Sequence, residues 1–298
     1  MREKAMSLYL EEQRPLSVRL ADVALTAFAW GAALLIAGGF IWILTDMIAG
    51  GARNLDLAFL TEAPERSGRA GGISTILVST LLILGVCLSV SVPLGLGTAI
   101  VLSELSRGGD RSSRWIRASL DVLAGVPSIV FGLFGNAFFA VALGMGFSIL
   151  SGGLTLACMV LPLLIRSIEL SLSAVPDDYR RASAALDLSL FGTVTRVLLP
   201  AATPGLIAGL LLAIGRAMAE TAALIFTSGY VDRMPESLLD SGRALSIHIY
   251  DLAMNVPGGE TNAYASALVL VLMLLAINAS AAWLVDRIVH GGRAGRAA

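Results

Sequence analysis

The sequence predicts an all-α polytopic membrane protein with six transmembrane helices, a class indicated by composition, apolar run length and charge placement. Of the 298 residues, 56% are hydrophobic and 14% are charged, against about 25% charged in a soluble domain. Lipid is therefore the predicted solvent. A net charge of −1 gives no basis for holding nucleic acid. Cys87 and Cys158 lie in apolar runs, which favours reduced packing residues over a disulfide or metal site.

Five largely apolar runs define the six spans, because a helix needs about 20 residues to cross ~30 Å of hydrocarbon. One run is long enough for two helices, and its glycines, Gly144, Gly146, Gly152 and Gly153, predict a tight turn between them. The predicted spans cover Val23–Leu44, Ile73–Leu102, Val122–Ile165 (two helices), Pro200–Phe226 and Ala263–Val285.

The distribution of positive charge predicts the orientation, because cytoplasmic loops are enriched in Lys and Arg. With the N-terminus inside, cytoplasmic segments carry fifteen of these residues and outer loops carry five. The predicted topology is therefore N-in, C-in. The two sizeable outer loops are at 50–72 and 229–262, and the second, which contains Pro235 and Pro257, is expected to hold turns and a short helix without forming a domain. The predicted segments are a cytoplasmic N-terminal segment at 1–22, a peripheral helix at 23–48, a five-helix core at 73–285 and a cytoplasmic tail at 286–298.

The cytoplasmic loop at 176–198 is predicted to form two short helices. Pro176 and the two aspartates after it are typical of a helix start. A break is predicted near Asp187, after which Ser189 can cap the second helix. That helix presents an apolar stripe formed by Leu190, Phe191, Val194, Val197 and Leu198. The stripe fits either a linker on lipid headgroups or a docking surface for a partner.

The spacing in this loop resembles the docking loop of ABC import permeases, which reads Glu-Ala-Ala, three residues, Gly, nine residues, an aliphatic residue, one residue and Leu-Pro. Ala182, Val197 and Pro200 match, whereas Arg181 and Asp187 replace the usual Glu and Gly. Asp tolerates a left-handed backbone, so the turn is expected to survive. The resemblance implies a type I importer permease core of the MetI-like kind, with a loop that docks on a cytoplasmic ATPase. The implied docking residues are Arg181, Ala182, Leu186, Asp187, Leu190, Phe191, Val194 and Pro200.

ATP hydrolysis is expected to take place on another chain. A P-loop requires a lysine in G-x-x-x-x-G-K-[ST], and the single lysine is Lys4. The chain is therefore predicted to be a transport subunit with no cofactor of its own, and ATP and Mg²⁺ are expected in a partner ATPase.

Four stretches resemble the PstA branch of these permeases, which serves phosphate import, and they cover most of the chain in the same order. They are Leu88–Leu105, Leu120–Gly135, Met159–Arg180 and Ala201–Gly229. Ala219 and Ala223 depart from the usual Gly and Pro of the fifth span. The resemblance implies a bacterial cytoplasmic (inner) membrane location. It also implies a heterodimer with a related permease, a dimeric ATP-binding subunit and an extracytoplasmic phosphate-binding protein.

The fifth span contains Arg216 and Glu220, spaced i, i+4 on one predicted helix face. Ionisable groups within a bilayer normally face a bundle interior, a partner or a water-filled path. Small residues on the same face, Gly205, Gly209 and Ala213, predict close approach of a helix from the second permease. The two charges fit either a pair on the path, with Arg216 able to bind an oxyanion bidentately, or a structural ion pair.

Three further residues are expected along the substrate path. Arg166 is either a positive-inside anchor or, by the resemblance, a phosphate ligand near the inner mouth. Ser128 follows Pro127, which either breaks the third span to point N–H groups at an anion or only kinks it. Thr221, next to Glu220, enters through the resemblance.

Other functions also fit the sequence. Within the class, an importer of sulfate or molybdate is the alternative to a phosphate importer. A self-contained channel or secondary transporter would need neither the docking pattern nor an ATPase. A membrane sensor or scaffold could use the loop to bind a regulator and transport nothing.

Overall fold

The computed structural model describes residues 15–106 and 110–294. Predictions for positions outside these ranges, including the charges at Arg2, Lys4, Arg14, Arg107 and Arg296, lie outside the described residues. The chain divides into two compact units at residues 50 and 51. In the first unit, helix α1 (Leu16–Gly51) is a single long helix that extends beyond the predicted 23–48 span at both ends. The second unit contains the rest of the fold.

Helices make up most of the described part of the second unit. Its transmembrane-length helices are α3 (Ser74–Ile100), α6 (Ile149–Ser173), α9 (Leu199–Met218) and α12 (Glu260–Ala294). Shorter helices are α2 (Leu57–Thr61), α4 (Arg111–Ala124), α5 (Ser128–Gly135), α7 (Asp177–Ala185), α8 (Leu190–Thr193), α10 (Ala222–Ile225) and α11 (Leu245–Met254). One two-stranded antiparallel hairpin joins β1 (Pro64–Glu65) to β2 (Ala70–Gly71).

The count of candidate spans agrees with the sequence prediction. Within the described residues, five helices are long and apolar enough to cross a membrane, and a bent pair supplies a sixth span. This outcome confirms the all-α polytopic class. The N-in, C-in orientation stays a prediction.

The third span is broken where the sequence places Pro127. Helix α4 and the helical run from Ser128 to Ala142 meet at 100°, and the last part of that run is a π-helical segment, Asn136–Ala142. The turn before α6 contains Gly144 and Gly146, both with positive φ, as predicted. Two of the four predicted turn glycines, Gly152 and Gly153, instead lie inside α6, where they allow close helix contacts, so their assignment to the turn is wrong.

The fifth span begins and ends earlier than predicted. Helix α8, a π-helical turn (Val194–Leu198) and α9 form one helical run, Leu190–Met218. Pro200 therefore lies within a continuous helix and does not start a separate one. The run ends at Met218, eight residues before the predicted end at Phe226. A non-helical break at Ala219–Thr221 then precedes α10.

Helix α6 lies at the centre of the bundle and packs against both α3 and α9. A side chain on Gly153 would overlap Val86 of α3. On the other side of α6, Gly205 and Gly209 of α9 pack against serine side chains of α6. The small-residue stripe of α9 is thus used within this chain. The expectation that it contacts a second permease is wrong.

The outer loops form a small lobe without a separate domain. The loop after α1 contains α2 and the β-hairpin, which the sequence did not predict. The loop before α12 contains turns and α11, as predicted. The buried amide of Asn262 joins them, because it accepts a hydrogen bond from Asn54 at 3.2 Å and donates one to the Gly68 carbonyl at 2.8 Å.

Candidate functional site

The break after α9 separates the two charged residues predicted to form an ion pair. Glu220 lies outside the helix, and its Oε1 accepts a hydrogen bond from the Ala223 N–H at 3.2 Å. Its carbonyl accepts a hydrogen bond from the Ser246 hydroxyl at 2.6 Å. Among the described residues, no ion pair joins Glu220 to Arg216. The predicted i, i+4 pair is therefore wrong, because the helix ends two residues before Glu220.

Arg216 lies in the last turn of α9, on the face of the helix that points out of the chain. This face is a stripe at i, i+4 spacing in which every side chain is exposed: Pro200, Pro204, Ala208, Leu212 and Arg216. Apart from Arg216 the stripe carries no charge. Within the described part of the chain, no carboxylate pairs with Arg216. A guanidinium on an apolar face at membrane depth requires an anion, water or a partner chain.

The two broken spans lie side by side. Gly132 of α5 approaches Ala223 of α10 so closely that a side chain there would overlap its backbone. One turn further on, the Asn136 amide donates to the Phe226 carbonyl at 2.8 Å. The helices therefore run parallel, which puts the first turn of α5 level with the break at Ala219–Thr221. Both breaks therefore leave backbone polar groups outside the helical hydrogen-bond pattern, and they do so at the same level along the two parallel helices.

Ser128 and Thr221 both lie at the starts of the helices that follow these breaks. Ser128 is the first residue of α5 and Thr221 immediately precedes α10, and both are half-buried. The N-terminal N–H groups of an α-helix have no partner within the helix, so they attract anions. Glu220 already occupies one N–H group of α10. The N-terminus of α5 is therefore the better anion donor of the two.

Arg166 is held in an ion-pair network in the C-terminal half of α6. Its guanidinium donates to both oxygens of Asp121 of α4 at 2.8 Å and to Glu169 at 3.0 Å. Arg117 binds the other Glu169 oxygen at 2.6 Å. The structure therefore separates Arg166 from Arg216: one has two carboxylate partners, and the other has none within the described residues.

The cytoplasmic loop folds much as its sequence predicts. Asp187 adopts a positive φ of 52°, and the N–H groups of Asp187 and Leu188 bond back to the carbonyls of Ala184 and Ser183. This is a Schellman motif, in which Asp187 occupies the position usually taken by glycine. Ser189 caps α8 by accepting from the Gly192 N–H at 3.2 Å. The predicted survival of the turn is confirmed.

The residues expected to dock on a partner divide into an exposed set and one buried side chain. The exposed set is Arg181, Ala182, Leu186, Asp187, Leu190, Phe191 and Pro200. Phe191 is 78% exposed, a large apolar area for a polar environment. Val194 instead packs in the core of this chain, so its inclusion in an accessible docking face is wrong. Val194 and Leu198 are buried in the core and hold in place the loop that carries the exposed side chains.

A buried polar cluster in the outer lobe has no counterpart among the predicted sites. His248 of α11 is fully buried, with its Nδ1 3.4 Å from the Arg243 guanidinium. Arg243 also pairs with Asp251 at 3.4 Å and donates to the Tyr230 carbonyl at 2.9 Å. Burial, together with the positive charge of Arg243, lowers the pKa of His248 to about 4. The histidine is isolated in sequence, so its surroundings could be found only in three dimensions.

The bundle, its two adjacent broken spans and the exposed loop at 176–198 together define a membrane transport subunit of the permease class. The chain belongs to the family described as "Binding-protein-dependent transport system inner membrane component", whose model matches residues 91–291. Members of this family are inner-membrane components of transport systems and are not enzymes. The family works with a binding protein and with an ATPase carried on a separate chain.

Similar proteins cover most of this chain. A "Probable ABC transporter permease protein YqgI" of Bacillus subtilis (strain 168) is 31% identical over 89% of this chain and 95% of its own. The "Phosphate transport system permease protein PstA 1" of Mycobacterium tuberculosis (strain H37Rv) is 37% identical over 72% of this chain and 69% of its own. The PstA protein of Mycobacterium leprae (strain TN) is 33% identical over 89% of both chains.

Solved structures agree with the fold. A chain of the MetNI methionine ABC transporter, captured in an inward facing conformation, matches with a TM-score of 0.57 and 19% identity. The match covers 73% of this chain and 94% of the MetNI chain. At this identity the likeness supports the MetI-like permease fold alone.

Proposed function

We propose that this chain is the PstA-type membrane subunit of an ATP-driven importer of inorganic phosphate. The observation that carries the proposal is Arg216, an exposed arginine on an apolar helix face one turn before the break at Ala219–Thr221 and without a carboxylate partner in the described structure. Relatives that carry the name of phosphate transport permeases support the choice of substrate.

The chemistry of the breaks suits a phosphate ion. Arg216 can donate two parallel hydrogen bonds to phosphate oxygens, and it stays protonated at every physiological pH. Ser128 and the first N–H groups of α5 can supply neutral donors at the same depth. Because Arg216 is not neutralised by Glu220, it can attract an anion without first breaking an ion pair. Thr221, at the other helix break, adds a hydroxyl donor.

Arg166 takes a different part in the proposed path. An anion that reaches it has to compete with Asp121 and Glu169, which already occupy its donors. Arg166 is therefore assigned to the inner mouth, where its carboxylate partners can release it when the helices move. This assignment gives Arg216 the larger share of phosphate recognition.

Docking on the ATPase is assigned to the exposed face of the cytoplasmic loop. Leu186, Leu190 and Phe191 project outwards from α7 and α8, where they can enter a groove of a partner. ATP and Mg²⁺ bind that partner. Because α8 continues into α9 without interruption, a displacement of the docked loop moves the helix that carries Arg216. A related permease and an extracytoplasmic phosphate-binding protein complete the assembly.

Transport in proteoliposomes tests the substrate. The chain is purified with its related permease and ATPase, reconstituted with ATP on the ATPase side, and supplied with phosphate-binding protein and labelled phosphate on the other side. We expect ATP-dependent phosphate accumulation that a tenfold excess of sulfate or molybdate leaves unchanged. Accumulation of sulfate or molybdate in place of phosphate would assign the importer to another oxyanion. Transport without the ATPase would indicate a channel or secondary transporter.

Association with the ATPase tests the docking face. Phe191→Asp places a charge in the exposed apolar area, so we expect the ATPase to be lost when the complex is purified. Leu239→Asp, at an exposed leucine of the outer lobe, is the matched control and should retain the ATPase. A stable ATPase complex with Phe191→Asp would refute the docking assignment.

A further inference from the structure

One buried ion pair joins the cytoplasmic loop to the inner end of α3. Arg180 of α7 donates to the two carboxylate oxygens of Glu104 at 2.7 and 2.9 Å. The same guanidinium donates to the Val175 carbonyl at 2.8 Å and to the Leu172 carbonyl at 2.9 Å. The side chains of Arg180 and Glu104 are 12% and 5% exposed. Arg180 thus contacts three parts of the chain at once: α3, α6 and the link between α6 and α7.

The neighbouring arginine provides an internal contrast. The Arg181 side chain is 78% exposed and lies 3.5 Å from Asp178 within its own helix. An exposed pair of this kind contributes little, because water screens it. The two successive arginines therefore differ in environment: the Arg181 side chain is exposed, whereas the Arg180 side chain is buried against the bundle.

Glu104 lies in a π-helical turn, Val101–Leu105, that ends α3. A second arginine contacts the same turn, because Arg117 of α4 donates to the Leu102 carbonyl at 2.8 Å. Arg117 also pairs with Glu169 of α6 at 2.6 Å. The turn is therefore the place where α7, α3 and α4 are tied together by charged side chains.

Further charged side chains extend this network to the broken third span, α4–α5. Arg117 precedes Asp121 by one helical turn, and Asp121 in turn binds Arg166. Helix α4 then ends at the 100° bend, after which Ser128 begins α5. A displacement of the π-helical turn of α3 consequently moves α4, the helix that leads to Ser128. A displacement of α8 instead moves α9, the helix that carries Arg216.

We propose that Arg180 and Glu104 form a second mechanical linkage, which carries movement of the docked loop into α3 and, through Arg117, into the α4–α5 break. The first linkage is the continuous helix from α8 to α9. Arg180 is a positioning residue and does not contact the substrate. The proposal rests on the proposed function, because it requires that an ATPase displaces the loop.

The physical basis is the number of contacts that a sliding motion would break. Separating Arg180 from Glu104 breaks a bidentate, charge-assisted pair between two buried side chains, which is strongly unfavourable. The two carbonyl contacts at the C-terminal end of α6 also match a positive charge to the negative end of a helix dipole. The loop and the end of α3 therefore move together as one body.

A double-mutant cycle on the reconstituted assembly tests the linkage. The variants are Arg180→Ala, Glu104→Ala and the double variant, and Glu104→Gln serves as a milder change that keeps a hydrogen-bond acceptor. Arg114→Glu, at an exposed cytoplasmic arginine outside the network, is the control. Each assembly is measured for retained ATPase, ATP turnover and phosphate transported per ATP hydrolysed.

We expect each single alanine variant to retain the ATPase and to hydrolyse ATP, but to transport about tenfold less phosphate per ATP. The double variant should show the same loss as the singles and not their product, because both changes break one linkage. Glu104→Gln should lose less than Glu104→Ala, and Arg114→Glu should match the unmodified chain.

Single variants that keep the unmodified ratio would overturn the linkage, as would a double variant with about a hundredfold loss, since that result means independent contributions. Loss of the ATPase from all three alanine variants would also overturn it, because the pair would then hold the docking face itself. Failure of the proposed function looks different: the unmodified chain would bind no ATPase or transport no phosphate.

Discussion

Arg166 and Arg216 lie on neighbouring helices, α6 and α9, yet their surroundings differ in kind. Arg166 is bound to Asp121 and Glu169 in a network that connects two helices. Arg216 lies on an exposed apolar face, and the described structure provides it with no carboxylate. The first arrangement satisfies a charge inside the chain. The second leaves a charge available to something outside it, and this is what a substrate site needs.

The comparison teaches that position in a span is a poor guide to which arginine binds an anion. Both residues satisfy the expectation that intramembrane charges are functional. Their partners distinguish the two arginines. Removal of an arginine that is paired within the chain should lower the stability of the fold, whereas removal of one without a carboxylate partner should weaken anion binding. The following predictions sharpen or break this distinction, in order of decreasing expected effect.

Arg216→Glu should reduce phosphate transport by about 100-fold or more, because two charge-assisted hydrogen bonds are lost and a repulsive charge is added. The free energy of unfolding should change by less than about 0.5 kcal/mol, since the side chain is exposed and makes no ion pair in the described structure. Transport assays and thermal unfolding of the purified complex measure the two quantities. A large loss of stability with normal transport would reverse the roles of the two arginines.

Glu169→Ala should lower the free energy of unfolding by about 3 kcal/mol, because Arg117 loses its carboxylate and Arg166 loses one of two. The Glu169 side chain is 8% exposed. Asp121→Ala is the matched control. Its side chain is 60% exposed, so the expected loss is below about 1 kcal/mol. Equal losses in unfolding experiments would show that burial does not determine the strength of this network.

The fold disfavours the protonated, charged form of His248, because the side chain is buried. Its folded pKa of about 4 lies below the usual 6.5, so the unfolded chain binds a proton more readily. Stability is therefore complete above about pH 6.5 and falls by up to about 3 kcal/mol as pH drops to 4. In unfolding measurements across this range, His248→Gln should flatten the slope relative to the unmodified chain. An unchanged slope would contradict the assignment to His248.

Asp187→Gly should have the smallest effect, a gain of up to about 1 kcal/mol in the free energy of unfolding. The reason is that φ is positive at this position and glycine adopts it without steric cost. Asp187→Ala should lose a similar amount, because alanine gains no compensating polar contact. Thermal unfolding of both variants checks the sign. A stabilising Asp187→Ala would mean that the turn is not strained.

Much of the fold could be predicted because lipid and backbone chemistry act locally. Apolar run length indicated the spans, Pro127 indicated an interruption of the third span without distinguishing a break from a kink, and Asp187 with Ser189 indicated the turn in the loop. Each of these features depends on residues close together in sequence. The hydrophobic pattern also reported the class correctly, since a membrane requires long helices.

The errors come from contacts between distant residues. The stripe of Gly205 and Gly209 is genuine, but periodicity cannot say whether the approaching helix belongs to the same chain. The i, i+4 pairing of Arg216 and Glu220 assumed a continuous helix, whereas the outer lobe binds the Glu220 carbonyl through Ser246. Likewise, Arg180 finds Glu104 across 76 residues, a partner that no local pattern indicates.

The most direct measurement is chemical restoration of the charge at position 216. Arg216→Cys is prepared in a background with Cys87→Ala and Cys158→Ala, reconstituted with the partner subunits, and treated with an aminoethyl or a neutral thiol reagent. We predict that phosphate transport is lost in the cysteine variant and recovers to at least about a tenth of normal with the cationic reagent alone. Normal transport by the untreated variant, or equal recovery with both reagents, would contradict a phosphate path beside Arg216.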